Sequence, residues 1–181
     1  MVRDVAISGM TVSVLLVEIP EAERLVAPHR RRLDANASLG IPAHVTVLYP
    51  FRPGSALDTT ALGELARLFA SFPRFSFTFD RTGWFGEDVL WLGPRDPAPF
   101  RTLTDLVFAA YPDYPPFEGQ HSEIIPHLTV GHNRPVGELR AAEAAVRPGL
   151  PVSGSATAVT LMTGPAADDA PWTKVTEFPL G

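Results

Sequence analysis

A short string with a histidine and a threonine occurs twice in the chain, and this repeat constrains the fold more than any other feature. Residues 44–47 read His-Val-Thr-Val, and residues 127–130 read His-Leu-Thr-Val. Each string closely follows a proline, Pro42 or Pro126. With five histidines in 181 residues, such a pair arises by chance in roughly one sequence in several thousand. An internal duplication, in which each half contributes one strand to a shared cleft, would explain the repeat.

Both strings favour β-strands with one polar face. Because side chains alternate across a strand, His44 and Thr46 share one face, and the aliphatic residues of the string lie on the other. The same holds for His127 and Thr129. Each string therefore presents an imidazole and a hydroxyl about 7 Å apart. Taken alone, either string is typical of the wet face of a half-exposed strand, whereas the pair favours a shared site.

The hydrophobic pattern predicts strands and helices that alternate along the whole chain. We expect Pro28 to break the first helix or to begin a second helical piece, and Asp58 to cap the second helix. The strands at 74–80 and 89–92 are expected to form a hairpin. The predicted strands are 11–19, 44–51, 74–80, 89–92, 124–131, 157–162 and 173–178, and the predicted helices are 21–37, 58–72, 98–110 and 136–147.

This order of elements predicts a single α+β domain over residues 1–181. The first predicted strand begins just after Met10, so residues 1–9 are interpreted as a non-native or disordered extension. Apolar residues follow Arg3, but the acidic Asp4 stands between them and the arginine, which argues against a signal peptide. No apolar run approaches the ~20 residues that cross a bilayer.

Composition excludes several kinds of chemistry. The chain has no cysteine, which rules out disulfides, thiolate nucleophiles and cysteine-held metal sites and is compatible with the cytoplasm, where we expect the protein. A net charge of −5 argues against extended coating of nucleic acid, which needs a basic surface. Lys174 is the only lysine, so lysine-dependent catalysis has little support.

The paired strings resemble the signature of the two-histidine phosphoesterase superfamily. Within it, they resemble the 2′-5′ RNA ligase-like proteins that act as RNA 2′,3′-cyclic phosphodiesterases. The continuation Leu-Tyr-Pro-Phe at residues 48–51 is similar to a branch of uncharacterised bacterial members. The resemblance implies a bilobal α+β fold with two antiparallel sheets related by a pseudo-twofold axis. Helices would lie outside, and the two strings would face each other across a central groove.

The resemblance also implies roles for the residues of the two strings. His44 would be the proton donor and His127 the proton acceptor. Thr46 and Thr129 would bind the phosphate. RNA-processing members commonly carry an arginine shortly after the second string, whereas here Gly-His-Asn separates that string from Arg134.

The chemistry of these side chains suits cleavage of a strained cyclic phosphodiester without a metal. With an ordinary pKa of ~6.5, one imidazole is neutral and takes a proton from water, while the other is protonated and donates to the leaving oxygen. Threonine hydroxyls donate hydrogen bonds where charge develops. Together with this chemistry, the resemblance implies hydrolysis of a 2′,3′-cyclic phosphate, on a nucleotide or an RNA end, to a 2′-phosphate without a cofactor. The internal twofold that it implies favours a monomer.

Two other functions stay open at this point. One is a non-catalytic module on the same fold that binds a nucleotide or another phosphorylated ligand. The other is a phosphodiesterase for 2′-5′ linked or nucleotide-sugar cyclic phosphate substrates. In each case the expected partner is a small phosphate ligand or an RNA end rather than a membrane.

Arg134 and Trp84 are the candidate substrate contacts outside the two strings. Arg134 is the basic residue nearest the second string and suits a phosphate. Trp84 belongs, with Phe85 and Trp91, to an aromatic group around the predicted hairpin, where stacking on a base and packing in the core are both compatible with the sequence.

The remaining polar candidates favour structural interpretations. His121 and His132 are six and five residues from His127. These spacings place the three histidines on neither one strand face nor one helix face, so His121 and His132 are expected in surface loops and not in a metal site. The basic run at residues 29–32 is typical of a solvated helix face. Tyr49 would lie on the face opposite His44 in a regular strand, which predicts core packing.

Overall fold

The computed structural model describes residues 11–120, 123–166 and 170–181. The expected extension at residues 1–9 and the predicted surface position of His121 lie outside these ranges. The strands are β1 (Thr11–Glu18), β2 (His44–Leu48), β3 (Phe75–Phe85), β4 (Val89–Pro94), β5 (Leu128–His132), β6 (Val152–Ala156), β7 (Ala158–Pro165) and β8 (Thr173–Pro179). The α-helices are α1 (Pro20–Leu33), α2 (Ala35–Ser38), α3 (Thr59–Ala70), α4 (Ala98–Ala110) and α5 (Val136–Val146). None of the helices in the described ranges is long and apolar enough to cross a bilayer.

The strands form two four-stranded sheets with antiparallel pairing throughout. The first sheet has the order β2-β1-β7-β8, and the second has the order β5-β4-β3-β6. Each sheet therefore begins with the strand that carries one of the repeated strings, β2 or β5. In each sheet the string therefore lies on an edge strand at the corresponding end of the order.

The helices tie the two sheets together by crossing between them. Helix α1 follows a strand of the first sheet but packs on β5, and α4 follows a strand of the second sheet but packs on β2. The edge strands β2 and β5 also contact each other. The two strings therefore meet at the centre of the molecule, as the resemblance implied.

The alternation of each string decides which face is buried. In β2, Val45 and Val47 are buried in the main core, and in β5 Leu128 and Val130 are buried in the same core. Burial of each such side chain contributes about 1.5–3 kcal/mol. A slip by one residue would expose the aliphatic side chains, so this burial fixes which face of each strand carries the polar groups.

Helix α1 differs from its prediction at Pro28. The helix continues through Pro28 and ends at Leu33, after which Asp34 takes an extended conformation and caps α2. An interior proline costs about 3 kcal/mol, yet Val26 and Leu33 on either side of it are buried in the core. The expected break is therefore wrong, because tertiary burial on both sides of the proline outweighs its local cost.

Other elements agree more closely with the sequence. Asp58 accepts a hydrogen bond from the Ala61 amide at 2.8 Å and caps α3, as predicted. Helix α4 has its predicted bounds, and β3 and β4 form the predicted hairpin. Strand β6 was missed because its sequence, Val-Ser-Gly-Ser-Ala, has one β-branched residue, no aromatic residue and a central glycine, which together give a weak strand signal.

Candidate active site

His44 and His127 are held in the same way at equivalent positions of the two sheets. His44 is the first residue of β2, and His127 directly precedes β5. The Nδ1 atom of His44 lies 2.8 Å from the Pro42 carbonyl oxygen, and Nδ1 of His127 lies 2.7 Å from the Ile125 carbonyl oxygen. Because a carbonyl oxygen only accepts, Nδ1 carries the proton in each ring. Each neutral imidazole therefore keeps a free lone pair on Nε2.

Several hydrogen bonds position the chain just before His44. The Ala43 amide donates to Glu23 Oε1 at 2.6 Å, and the Ala43 carbonyl accepts from the Ile19 amide at 2.8 Å. Two residues earlier in the chain, the Ile41 carbonyl accepts from Arg30 Nη2 at 3.2 Å. The backbone that leads into the histidine is therefore anchored to α1.

Arg30 belongs to a buried ion pair with Asp34. The two residues are 2% and 3% exposed, and Asp34 Oδ2 accepts from Arg30 Nε at 3.0 Å and Nη2 at 2.8 Å. The other oxygen, Oδ1, accepts from the Asn36 amide at 3.1 Å. The expectation of a solvated face at residues 29–32 is therefore wrong for Arg30, although Arg31 and Arg32 are exposed.

The two threonines share the histidine faces. Thr46 and Thr129 are half-buried, and each is flanked by fully buried aliphatic residues of its own strand. The Thr104 hydroxyl of α4 donates to the Val47 carbonyl at 2.8 Å. This bond satisfies a buried carbonyl that the free edge of β2 would otherwise leave unpaired.

Burial lowers the pKa of both imidazoles. The pKa of His44 falls to about 4, chiefly because desolvation penalises the charged ring; the Pro42 carbonyl and Asp34 oppose this shift, and Arg30 adds to it. Burial also lowers the pKa of His127, and the Ile125 carbonyl opposes this. Both rings are therefore neutral at pH 7 in the ligand-free protein.

The lowered pKa of His44 predicts a loss of stability in acid. Between the ordinary pKa of 6.5 and the folded value of about 4, the unfolded chain binds more protons than the folded one, so the free energy of unfolding decreases as the pH falls through this range. At ~1.4 kcal/mol per pKa unit, the full loss is about 3 kcal/mol. Urea unfolding at pH 7.5 and pH 4.5 measures it. The variant His44→Gln should lose less stability between these pH values, and an equal loss would contradict the assignment.

Aromatic side chains surround His127 on the second sheet. The Phe85 ring centroid lies 4.8 Å from that of His127 at an interplanar angle of 88°, and the Trp91 centroid lies 6.1 Å from it. The Trp91 indole covers Gly83, where a Cβ atom would overlap the ring. Glycine at this place is therefore required for the indole to lie flat on the sheet.

Trp84 lies on the other face of β3. Its indole packs against the main core, and the Arg140 guanidinium of α5 lies 4.3 Å from its ring centroid. This position argues against the substrate contact predicted for Trp84. The alternation of side chains places Trp84 and Phe85 on opposite faces of β3. The sequence alone does not show which of these faces α5 covers, so it could not decide which aromatic residue is available to a ligand.

A cavity of about 570 Å³ opens beside His127. It adjoins Thr129 and the exposed His132, whereas His44 and Thr46 are outside its lining among the described residues. Asn36, Phe117 and Glu123 come from segments for which the sequence predicted no part in the site. The lining is formed by Asn36, Phe85, Val89, Phe117, Glu123, Ile124, Ile125, His127, Thr129 and His132.

Tyr49 lies on a different face from the one the sequence predicted, and Arg134 lies just after β5. Arg134 is exposed between β5 and α5 and is not among the described lining residues. Tyr49 packs beside Trp172 on a small cluster with Leu16, separate from the main core. A register shift in the pairing of β1 with β2 explains this, because it turns Tyr49 to the face that carries Thr46.

Known proteins share this architecture. The chain matches the family model of the 2′-5′ RNA ligase superfamily over residues 18–167. The structure of LigT from E. coli in complex with 3′-AMP is 21% identical over 94% of this chain and 98% of that one, with a TM-score of 0.66. The protein TT0787 of Thermus thermophilus is 18% identical over 93% and 97%, with a TM-score of 0.59. A crystal structure described as a phosphoesterase is 20% identical over 94% and 98%, with a TM-score of 0.57.

No curated protein matches the chain. The likeness to the solved structures confirms the predicted α+β fold with two antiparallel sheets. The family match covers most of the chain and confirms the resemblance stated from the two strings. The protein therefore belongs to the 2′-5′ RNA ligase superfamily.

Proposed function

We propose that the protein is a metal-independent phosphodiesterase that opens a 2′,3′-cyclic phosphate, on a nucleotide or an RNA end, to a 2′-phosphate. The observation that carries the proposal is the matched presentation of His44 and His127. Both rings donate Nδ1–H to a backbone carbonyl, and both keep Nε2 free. A pair of imidazoles presented in this way on contacting strands suits proton transfer at two sides of one phosphorus atom.

The reaction needs one base, one acid and a site for the phosphate. A neutral imidazole takes a proton from water as the water oxygen attacks phosphorus, and the second imidazole, protonated, donates to the ribose oxygen that leaves. Binding of the anionic phosphate favours protonation of one ring, because an opposite charge nearby raises its pKa. Thr46 and Thr129 donate hydrogen bonds to the non-bridging oxygens.

The test is hydrolysis of the four nucleoside 2′,3′-cyclic monophosphates and of a short RNA that ends in a 2′,3′-cyclic phosphate, with a chelator present. Phosphorus NMR identifies the product, which we expect to be the 2′-phosphate. Binding of these compounds without turnover would favour a non-catalytic module and contradict the proposal. Turnover only of a 2′-5′ linked or nucleotide-sugar substrate would keep the reaction type and correct the substrate.

Valine in place of either threonine tests the phosphate site. Thr46→Val and Thr129→Val keep the shape of the side chain but remove the hydroxyl donor, so each should lower kcat by about 10²-fold, toward the lower end of the loss expected for a transition-state donor. Thr102→Val is the matched control, because that hydroxyl bonds its own helix at the Ala98 carbonyl. Activities of all three variants within twofold of each other would contradict the assigned role.

A further inference from the structure

The chain segments that lead into the two repeated strings are held in a matching pattern. In each half, the carbonyl two residues before the histidine accepts from Nδ1. The carbonyl one residue earlier accepts from an arginine. In the first half, Arg30 Nη2 donates to the Ile41 carbonyl at 3.2 Å. In the second half, Arg101 Nε donates to the Ile124 carbonyl at 3.1 Å. The match between the halves therefore extends to an arginine outside the strings.

The two arginines come from helices at corresponding places in the fold. Helix α1 lies between β1 and β2 in the chain, and α4 lies between β4 and β5. In each sheet, this helix follows the second strand of the order and precedes the edge strand. Arg30 lies on α1 and Arg101 on α4. They precede their histidines by 14 and 26 residues, so the match is visible only in the structure.

Each arginine also pairs with a carboxylate. Asp34 Oδ2 accepts from Arg30 Nη2 at 2.8 Å, and both side chains are buried. Glu123 Oε1 accepts from Arg101 Nη2 at 2.8 Å, and these side chains are 66% and 42% exposed. Because the donors of a guanidinium lie in one rigid plane, a carboxylate on one donor sets the direction of the others. Each pair therefore orients its guanidinium toward the carbonyl.

Fewer hydrogen bonds hold the segment in the second half than in the first. In the first half, the Ala43 amide, the Ala43 carbonyl and the Ile41 amide are also bonded to other parts of the fold. In the second half, the residue before the histidine is Pro126, which has no amide hydrogen to donate. Within the described ranges, the bond from Arg101 is the only one that joins the backbone of residues 124–126 to another element.

Resting on the proposed function, we propose that Arg101 is a positioning residue for His127. By holding the Ile124 carbonyl, it fixes the start of the next peptide unit, whose carbonyl belongs to Ile125 and accepts from the ring. The partner of one ring nitrogen decides which nitrogen carries the proton. Arg101 therefore keeps the proton on Nδ1 and leaves the Nε2 lone pair in place for proton transfer.

Loss of this guanidinium should reduce catalysis more than substrate binding. The Ile125 carbonyl is then free to leave Nδ1, and the His127 ring can rotate or carry its proton on Nε2. Either change removes the Nε2 lone pair from the place where proton transfer occurs. We expect Arg101→Met to lower kcat for 2′,3′-cyclic phosphate hydrolysis by about 10- to 100-fold, because a misplacement of about 1 Å can cost about 10²-fold. KM should change far less.

The proton position on His127 is measured without substrate. Long-range ¹H–¹⁵N NMR spectra at pH 7.5 distinguish an imidazole with the proton on Nδ1 from one with the proton on Nε2, and His127→Gln identifies the signals of this ring. In the wild type we expect the Nδ1–H form at both His44 and His127. In Arg101→Met, the Nε2–H form should appear at His127 while His44 keeps the Nδ1–H form.

Two control variants separate positioning from charge. Arg95→Met removes the guanidinium of another exposed ion pair, with Asp80 at 2.8 Å, and should change neither kcat nor the His127 spectrum. The double variant Arg101→Met with Glu123→Gln removes the carboxylate that the single change leaves unpaired at the cavity wall. We expect it to be as impaired as Arg101→Met. Recovery of the wild-type kcat would assign the loss to the unpaired charge and overturn the proposal.

The failure of this proposal is distinguishable from the failure of the proposed function. An unchanged His127 spectrum in Arg101→Met, or a kcat within twofold of the wild type, would overturn the positioning role. A wild type without turnover would refute the proposed function, and the spectra would still decide whether Arg101 positions the ring. Because Arg101 is half-exposed, its variants should fold, and urea unfolding curves at pH 7.5 verify this.

Discussion

Alanine in place of His44 or His127 is expected to lower kcat for 2′,3′-cyclic phosphate hydrolysis by about 10²–10⁴-fold. Each substitution removes an Nε2 atom that takes or gives a proton in the transition state, because Nδ1 of each ring is already held by a backbone carbonyl. KM should change much less, because the threonine hydroxyls still hold the phosphate. Initial rates over a range of substrate concentrations separate the two parameters.

The double variant is expected to be little worse than either single one, since groups that act as a unit in one transition state are strongly non-additive. His29→Ala is the control: it removes an imidazole from α1, outside the described lining of the cavity. A tenfold loss or less in both single variants would contradict the assignment of these histidines as the acid and base.

Methionine in place of Arg30 is expected to destabilise the fold by about 3–5 kcal/mol, because it leaves the buried Asp34 carboxylate without its charged partner. The same change removes the hydrogen bond to the Ile41 carbonyl, three residues before His44. Urea unfolding measures the loss of stability. We also compare kcat of the Arg30→Met variant with that of the wild type where both are fully folded. A lower kcat in the folded variant would show that the ion pair also positions His44.

Two further variants separate the charge from the packing. The double variant Arg30→Met with Asp34→Leu should recover most of the lost stability, because no unpaired charge stays buried. About 1 kcal/mol should not be recovered, because Asp34 no longer caps α2 by accepting from the Asn36 amide. Arg32→Met is the matched control, because its pair with Glu138 is exposed and contributes at most about 1 kcal/mol. Equal destabilisation by Arg30→Met and Arg32→Met would show that the buried pair has no special weight.

The spacing of apolar residues along the sequence was sufficient to predict helices and strands whose buried residues recur at the helical or the strand period. The helical spacing of Leu65 and Phe69 predicted α3, and both residues are fully buried. The alternation in each repeated string predicted the faces of β2 and β5. Prediction failed where distant contacts decided the outcome. Helix α1 continues through Pro28 because its flanking residues are buried, and Tyr49 changes face because the β1–β2 register shifts.

The sequence by itself determined the two polar strand faces and the duplicated architecture, because side-chain alternation and aliphatic burial act between neighbours in the chain. It also carried enough of the family signature to predict the fold. Only the tertiary structure decided that Arg30 is buried and that a cavity borders His127 rather than His44. Asn36, Phe117 and Glu123 reach that cavity from separate segments. Contacts between such segments depend on how the sheets and helices pack, and that packing leaves no periodic signal in the local sequence.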